Sequence, residues 1–250
     1  MIPKKIHYCW FGCNPLPESA VKCINSWRKF FPDYEIKEWN EDNFDVNCIP
    51  YTAEAYQARK YAFVSDYARF WILYHYGGVY FDTDVEVIKP MDDIIDRGPF
   101  LGMEIVWTYP TVAPGLGMAV EKGHIIYKQA LDCYANMHFT YSNGNADHES
   151  IVPLTTRLLK DSGMQPNGAL QCVAGIWIYP VDFFNPLNDL TGRLNVTDNS
   201  RTIHWYSASW QKHNQLLRWV KRRFHRLVGD HMHQIHRIKK SLIKHTFGKH

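Results

Sequence analysis

Ser65-Asp66-Tyr67-Ala68-Arg69-Phe70-Trp71-Ile72-Leu73-Tyr74-His75-Tyr76-Gly77-Gly78-Val79-Tyr80-Phe81-Asp82-Thr83-Asp84-Val85-Glu86-Val87 is the stretch on which the reading of this chain turns. Its first part closes a long helical pattern that runs from Ala53 to Tyr76. Gly77-Gly78 stops that pattern where a helix end favours a left-handed residue. Val79 to Val87 is then a β-rich run ended by Lys89-Pro90. Upstream, Ile6 to Trp10 reads as a short apolar strand and Ser19 to Phe30 as a helix burying Val21, Ile24, Trp27 and Phe31. Tyr34 to Trp39 alternates as a second strand. Strand, helix, strand, helix, strand is the signature of an α/β fold with a mainly parallel sheet. Downstream the pattern loosens. Phe100 to Met103 and Gly175 to Pro180 read as strands, and Ile125 to Met137 and Ser150 to Asp161 as helices. Thr202 to Trp210 reads as a last aromatic strand or loop.

The chemistry concentrates in the same stretch. Asp66 and Arg69, three apart on a helix, share a face. Tyr80, Asp82 and Asp84 share a face if the strand is regular, with Val79, Phe81, Val85 and Val87 turned to a core. Two carboxylates two residues apart repel each other when both are ionised. A divalent cation removes that penalty, and oxygen ligands suit Mg²⁺ or Mn²⁺. Such an ion can hold a diphosphate and neutralise it as it leaves. An isolated Asp-x-Asp also occurs on plain solvated strand ends; the adjoining Asp66, Arg69, glycine pair and Tyr80 are what set this one apart. Other carboxylate motifs fit worse. A calcium EF-hand needs Gly at 87 and Glu at 93, where Val87 and Asp93 stand, and an aspartyl phosphatase needs Thr where Glu86 stands.

Composition bounds the rest. The 250 residues are 46% hydrophobic and 21% charged, as in a folded globular protein, and 15% aromatic, which suits stacking of flat or ring-shaped ligands. The opening Met1-Ile2-Pro3-Lys4-Lys5 and the short apolar run after it do not make a secretory leader, so a cytosolic protein with six reduced, uninvolved cysteines is expected. Charge is uneven: from Lys212 onward there are 11 Lys or Arg and one acid, Asp230, while the remainder carries 17 basic and 24 acidic residues. Leu216, Leu217, Val220, Phe224, Leu227 and Val228 recur at helical spacing among the arginines and lysines, and Ile235, Ile238, Leu242 and Ile243 repeat the arrangement. The segment 213–250 thus reads as a basic amphipathic helical arm, and 1–212 as the catalytic domain. The arm fits an anionic membrane surface, or docks its apolar face on the domain. Nucleic acid is not expected as a partner, because the arm interleaves few aromatics with its charges and carries no binding motif.

Three separated motifs carry a resemblance. Ser65 to Asp84 resembles the DXD sugar-nucleotide region of family 32 glycosyltransferases, which include bacterial capsule enzymes and initiating α-1,6-mannosyltransferases, and it is similar to the catalytic domains of glucosylating clostridial toxins. Ile2 to Gly12 with Pro15-Leu16-Pro17 resembles that family's first strand and uridine-side loop. Ile203-His204-Trp205-Tyr206-Ser207-Ala208-Ser209-Trp210 resembles its closing motif. The resemblance implies a GT-A, Rossmann-like fold binding a nucleoside-diphosphate sugar, UDP-hexose ahead of GDP-mannose. It implies Asp84 and Asp82 as ligands of Mn²⁺ (or Mg²⁺), Asp82 also at the ribose and sugar, Asp66 and Arg69 on the hexose, and Tyr80 lining the donor pocket. His204 or Ser209 completes the metal or diphosphate site, and Trp210 closes over it; related sequences often carry a second histidine where Trp205 stands. Trp10 and Phe11 are the candidate stacking pair for the base, with a core role as the alternative. His7 reads as a hydrogen-bonded core histidine, and the polar loop at Asn143, Asn145, Asp147, His148 and Glu149 as surface before acceptor site.

The expectation is therefore a retaining, metal-dependent hexosyltransferase, with Asp66, Arg69 and Asp82 at the reacting centre. It acts on a saccharide or lipid-linked acceptor in surface polysaccharide synthesis, as a peripheral protein on the inner face of the cell membrane. The alternatives are a toxin-like protein glycosyltransferase, or a silent sugar-nucleotide-binding or membrane scaffold module.

Overall fold

A computed structural model describes residues 1–106, 109–139, 141–142, 145–146 and 149–207. The arm at 213–250, together with Ser209 and Trp210, lies outside the described residues, as do Asn143, Asp147 and His148 of the polar loop.

Strand β1 (Lys5–Cys9) leads through helix α1 (Glu18–Phe30) to β2 (Glu35–Trp39), its parallel neighbour. Helices α2 (Pro50–Gln57) and α3 (Tyr61–Tyr76) then return the chain to β3 (Gly78–Tyr80), parallel to β1 on the other side. After β4 (Val85–Val87) and α4 (Asp92–Arg97) come β5 (Phe100–Val106), β6 (Tyr109–Val112), a 3₁₀ turn at Pro114–Leu116 and β7 (Met118–Val120). Then follow α5 (Ile125–Ala135), the β8–β9 hairpin (Tyr141–Ser142 and Asn145–Ala146), α6 (Ile151–Asp161), β10 (Gln171–Val173), β11 (Ile176–Tyr179), α7 (Val181–Phe184) and β12 (Thr202–His204).

The main sheet has the order β10-β11-β5-β7-β3-β1-β2, with β6 paired to β5. Strands β2, β1, β3, β5 and β11 run one way; β7, β10 and β6 oppose them. The expected α/β class with a mainly parallel sheet is what forms. Helices cover both faces. Ile6, Tyr8, Val79 and Phe81 pack with Cys23, Ile24 and Trp27 of α1, while Tyr80, Leu101 and Met118 pack with residues of α2, α3, α5 and α6.

Three local expectations are corrected. The helix expected from Ala53 to Tyr76 is two helices, because Arg59 takes a left-handed φ of 56° and Lys60 N–H bonds back to Ala55 O. The buried face of α1 is Ala20, Cys23, Ile24 and Trp27, at i, i+3, i+4 and i+7, which leaves Val21 exposed. Val79 to Val87 is not one strand: its last bond to the main sheet is Phe81 N–H to His7 O, the chain turns at Asp82 with Val85 N–H bonding its carbonyl, and β4 pairs with β12 in a separate ribbon. Strand alternation therefore does not place Asp82 and Asp84; a turn does.

Two placements matter for the site. The connection β1–α1–β2 lies on one face and β2–α2–α3–β3 on the other, so the strand order reverses between β1 and β3. Open α/β sheets bind ligands outside the carboxyl ends of strands at such a switch point. Here those ends carry Trp10 and Phe11 on one strand and Phe81 to Asp84 on the other. Second, His7 is buried and tied on both ring nitrogens, Nδ1 accepting from Trp39 Nε1–H at 3.1 Å and Nε2 donating to Gly77 O at 3.0 Å, the core role expected for it. All six cysteines are free. Among the described residues no helix is long and apolar enough to cross a membrane.

Candidate active site

Arg69 is the buried hub of the site, 4% exposed. It stands on α3 one turn after Asp66, and helical geometry lets its Nη2 reach Asp66 Oδ1 at 3.0 Å. The same guanidinium forks onto the Asp82 carboxylate, Nη1 to Oδ2 and Nη2 to Oδ1, both at 3.2 Å. Tyr80 O–H donates to Asp82 Oδ1 at 3.1 Å, and the Tyr80 ring lies 5.0 Å under the guanidinium carbon. Gly115 completes this corner: a Cβ there would stand 2.2 Å from Asp82 Oδ2, so only glycine admits the carboxylate.

Asp84 is anchored by the other end of the chain. β12 pairs antiparallel with β4, setting His204 opposite Val85. His204 Nε2 then lies 3.1 Å from Asp84 Oδ1, and Ser207 donates to Asp84 Oδ2 from its backbone N–H at 2.8 Å and its hydroxyl at 3.1 Å. Trp205 N–H bonds Asp84 O at 2.9 Å, while the indole N–H is held by Glu86. Behind His204, the Tyr206 ring packs 4.1 Å from the imidazole; Tyr206 O–H donates to Glu104 at 3.2 Å and accepts from Asn185 Nδ2–H at 2.6 Å.

The electrostatics follow from burial and these pairs. Burial pushes the Asp66 carboxyl up to about 6 despite Arg69 beside it, and burial likewise raises Glu104. Burial works against the charge of Arg69, but Asp82, with Asp66, outweighs it and keeps the guanidinium protonated. Burial opposes ionisation of Asp84 too, yet His204 and the Ser207 bonds outweigh it and hold the carboxyl at about 2. The same pair raises His204 against the effect of its burial. Asp66, Asp82, Asp84 and Glu104 thus surround a region that holds the Arg69 guanidinium, with His204 beside Asp84.

Ligand atoms of Asp82, Asp84 and His204 lie within 4.8 Å of one another. Two carboxylates and one imidazole, partly exposed and short of positive charge, fit a hard divalent cation such as Mn²⁺ or Mg²⁺. His204 turns Nε2 towards Asp84, while its buried Nδ1 has no hydrogen-bond partner among the described residues.

The structure therefore brings together Asp66, Arg69, Tyr80, Asp82, Asp84 and His204. It separates the pair expected to stack the base. Phe11 is buried against Phe44 with ring centres 5.7 Å apart, whereas Trp10 is half-buried with its indole N–H on Asn14 O. Phe11 is thus a core residue, and of the two rings Trp10 alone keeps an accessible edge. Sequence reading passed over Ser207, although it lies inside the quoted closing motif. It also missed Gly115, whose Pro114-Gly115 pair signals a turn but no site. Glu104 and Asn185 carry no signal of their own, and Tyr206 lies in the same closing motif without a role that its sequence position reveals.

Comparison with known proteins agrees with the DXD reading. Residues 17–101 match the family described as "Glycosyltransferase sugar-binding region containing DXD motif". Inositol phosphoceramide mannosyltransferase 1 of Schizosaccharomyces pombe is 32% identical over 111 residues, 40% of this chain and 33% of that protein. Inositol phosphoceramide mannosyltransferase 3 of the same yeast is 31% identical over 151 residues, 56% and 40% respectively. The chain thus spans well under half the length of these curated relatives. Among solved structures, PaToxG Glycosyltransferase aligns with 64% of this chain and 69% of its own, at 21% identity and a TM-score of 0.49. The segment that holds Asp66, Arg69, Asp82 and Asp84 is thus similar to the sugar-binding region of glycosyltransferases that contain a DXD motif.

Proposed function

We propose that this protein is a metal-dependent, retaining glycosyltransferase of GT-A type that transfers a hexose from a nucleoside-diphosphate sugar to a saccharide or lipid-linked acceptor. The observation that carries the reading is the convergence of Asp82, Asp84 and His204 outside the carboxyl ends of β1 and β3, beside a buried Arg69. Breaking a glycosyl–phosphate bond leaves positive charge on the anomeric carbon and negative charge on the diphosphate. A cation at Asp82, Asp84 and His204 supplies charge neutralisation for the leaving diphosphate.

The chain's own residues do the rest. Arg69 cannot turn freely, because Asp66, Asp82 and the Ser65 carbonyl hold its donors, so it presents a fixed positive charge with no reorganisation at the moment of reaction. Tyr80 and Gly115 hold Asp82 in register with Arg69. Asp66 and Asp82 set negative charge beside the sugar, where oxocarbenium character develops. Trp10 offers an aromatic edge for the base. The Asp66 and Asp82 carboxylates are both taken up by Arg69 rather than free to act as nucleophiles, which favours departure and attack on the same face, with retention.

The names of the yeast relatives weight the donor towards a mannosyl nucleotide beside a UDP-hexose, and the acceptor towards a lipid with an inositol phosphate headgroup. The basic arm would hold the protein on an anionic membrane surface, on its cytoplasmic side, in synthesis of a surface polysaccharide or glycolipid. A screen of UDP- and GDP-sugars for Mn²⁺-stimulated hydrolysis tests the reading. Turnover with one donor class supports it, and binding of a sugar nucleotide without turnover would make the protein a silent binding module instead.

A further inference from the structure

Tyr206 occupies a left-handed backbone conformation, φ 51°, unusual for an aromatic residue and sustained only where surroundings fix it. What fixes it is visible. Its hydroxyl is clamped between Asn185, which donates at 2.6 Å, and Glu104, which accepts at 3.2 Å. Asn185 stands just past α7 and Glu104 near the end of β5, so the clamp ties Tyr206 to two separate parts of the fold. The ring then lies 4.1 Å from that of His204. His204 needs such a brace, because its Nδ1 finds no partner among the described residues. Imidazoles that bind metal normally have their second nitrogen fixed by a hydrogen bond, which sets the ring's direction. Among the described residues Nδ1 has no such bond, and the face of the ring is held by Tyr206.

We propose that Tyr206, clamped by Asn185 and Glu104, is the positioning residue that aims the His204 imidazole at Asp82 and Asp84 for cation binding. The inference rests on the cation reading above, yet it assigns work to three residues outside the candidate ligand set of Asp82, Asp84 and His204. The hydroxyl is the point of control: Tyr206→Phe keeps the ring but cuts the clamp, whereas Glu104→Gln keeps an oxygen to accept from Tyr206.

The test is Mn²⁺ binding by the full chain without nucleotide, read as the loss of the free-ion signal in electron paramagnetic resonance. Thermal unfolding without metal is recorded alongside. Tyr206→Phe and Glu104→Ala should each weaken Mn²⁺ about tenfold, in the range for lost outer-shell partners. Glu104→Gln should stay near wild type, a rescue that mere loss of packing would not give. Equal Mn²⁺ affinity in wild type and Tyr206→Phe overturns the role of Tyr206 while leaving the cation site standing. Absence of Mn²⁺ binding in the wild type overturns the cation site, and this proposal with it.

Discussion

Acid should unfold this protein through His7 before it does so through the active-site carboxylates. His7 is buried on β1 with its neutral tautomer dictated from both sides: Trp39 Nε1–H points at Nδ1, and Nε2–H points at Gly77 O. Protonating Nδ1 would set two N–H groups face to face in the core. Burial foremost, with Lys37 and Lys5 nearby, lowers the pKa from its ordinary 6.5 to about 4, although the Gly77 bond and Glu35 act the other way. Because the folded value is the lower one, the unfolded chain binds the extra proton. The contribution is complete above pH 6.5 and drains away as pH falls towards 4. That lowering, at about 1.4 kcal/mol per pH unit, is worth about 3.5 kcal/mol, of which about 3 kcal/mol is lost by pH 4. That is a large share of the ~5–15 kcal/mol that holds a domain folded. Urea unfolding followed by tryptophan fluorescence, at half-unit steps from pH 8 to 4, should show wild type losing that amount relative to His7→Gln, in which a neutral amide can serve both partners. Parallel curves for the two proteins across that window would refute the argument, as would an NMR titration of His7 near 6.5.

Other consequences can be checked together. Gly115→Ala puts a methyl where Asp82 Oδ2 lies, so sugar-nucleotide hydrolysis should fall by at least an order of magnitude while the circular dichroism spectrum is kept; full activity would mean the corner is looser than drawn. Arg69→Met leaves Asp66 and Asp82 without their buried partner and should cost about 3–5 kcal/mol in urea unfolding. Unchanged stability in that variant would show that the carboxylates take up protons at no cost. Truncation after Lys212 should lower binding to vesicles rich in anionic lipid, measured by sedimentation, and the difference should shrink as salt is raised. Equal partitioning at low salt would remove the membrane from the account.

Some of this was legible in the residues and some was not, for physical reasons. The order of helices and strands through Val87 follows from local periodicity and glycine stops, which are properties of neighbouring residues. The breaks inside that order do not follow. Arg59 turns left-handed where a glycine would be the usual signal, and the β-rich run after Gly78 divides because its two halves find different partners, β1 and β12. The Asp66–Arg69 pair was readable from helical spacing alone, and the closeness of Asp82, Asp84 and His204 from the combined motifs. The geometry that unites them was not, since 119 residues lie between Asp84 and His204 in the sequence and the β4–β12 ribbon brings them together. Glu104, Asn185 and Tyr206 act through long-range bonds, and no single stretch of sequence holds two of their contacts. Phe11 illustrates the opposite error. Its place beside Trp10 suggests a shared task, but successive residues leaving a strand point opposite ways, and Phe44 claims it for the core.

The most direct measurement is the rate of Mn²⁺-dependent hydrolysis of the best UDP- or GDP-sugar by the full chain, compared between wild type and Asp84→Asn. Asparagine keeps the shape and an acceptor for Ser207 but gives up the charge that pairs with His204 or a cation. Loss of about a hundredfold or more, with Mn²⁺ no longer stimulating the reaction, is the expected result. Hydrolysis at the wild-type rate, equally raised by Mn²⁺, would contradict the placement of the cation at Asp82, Asp84 and His204.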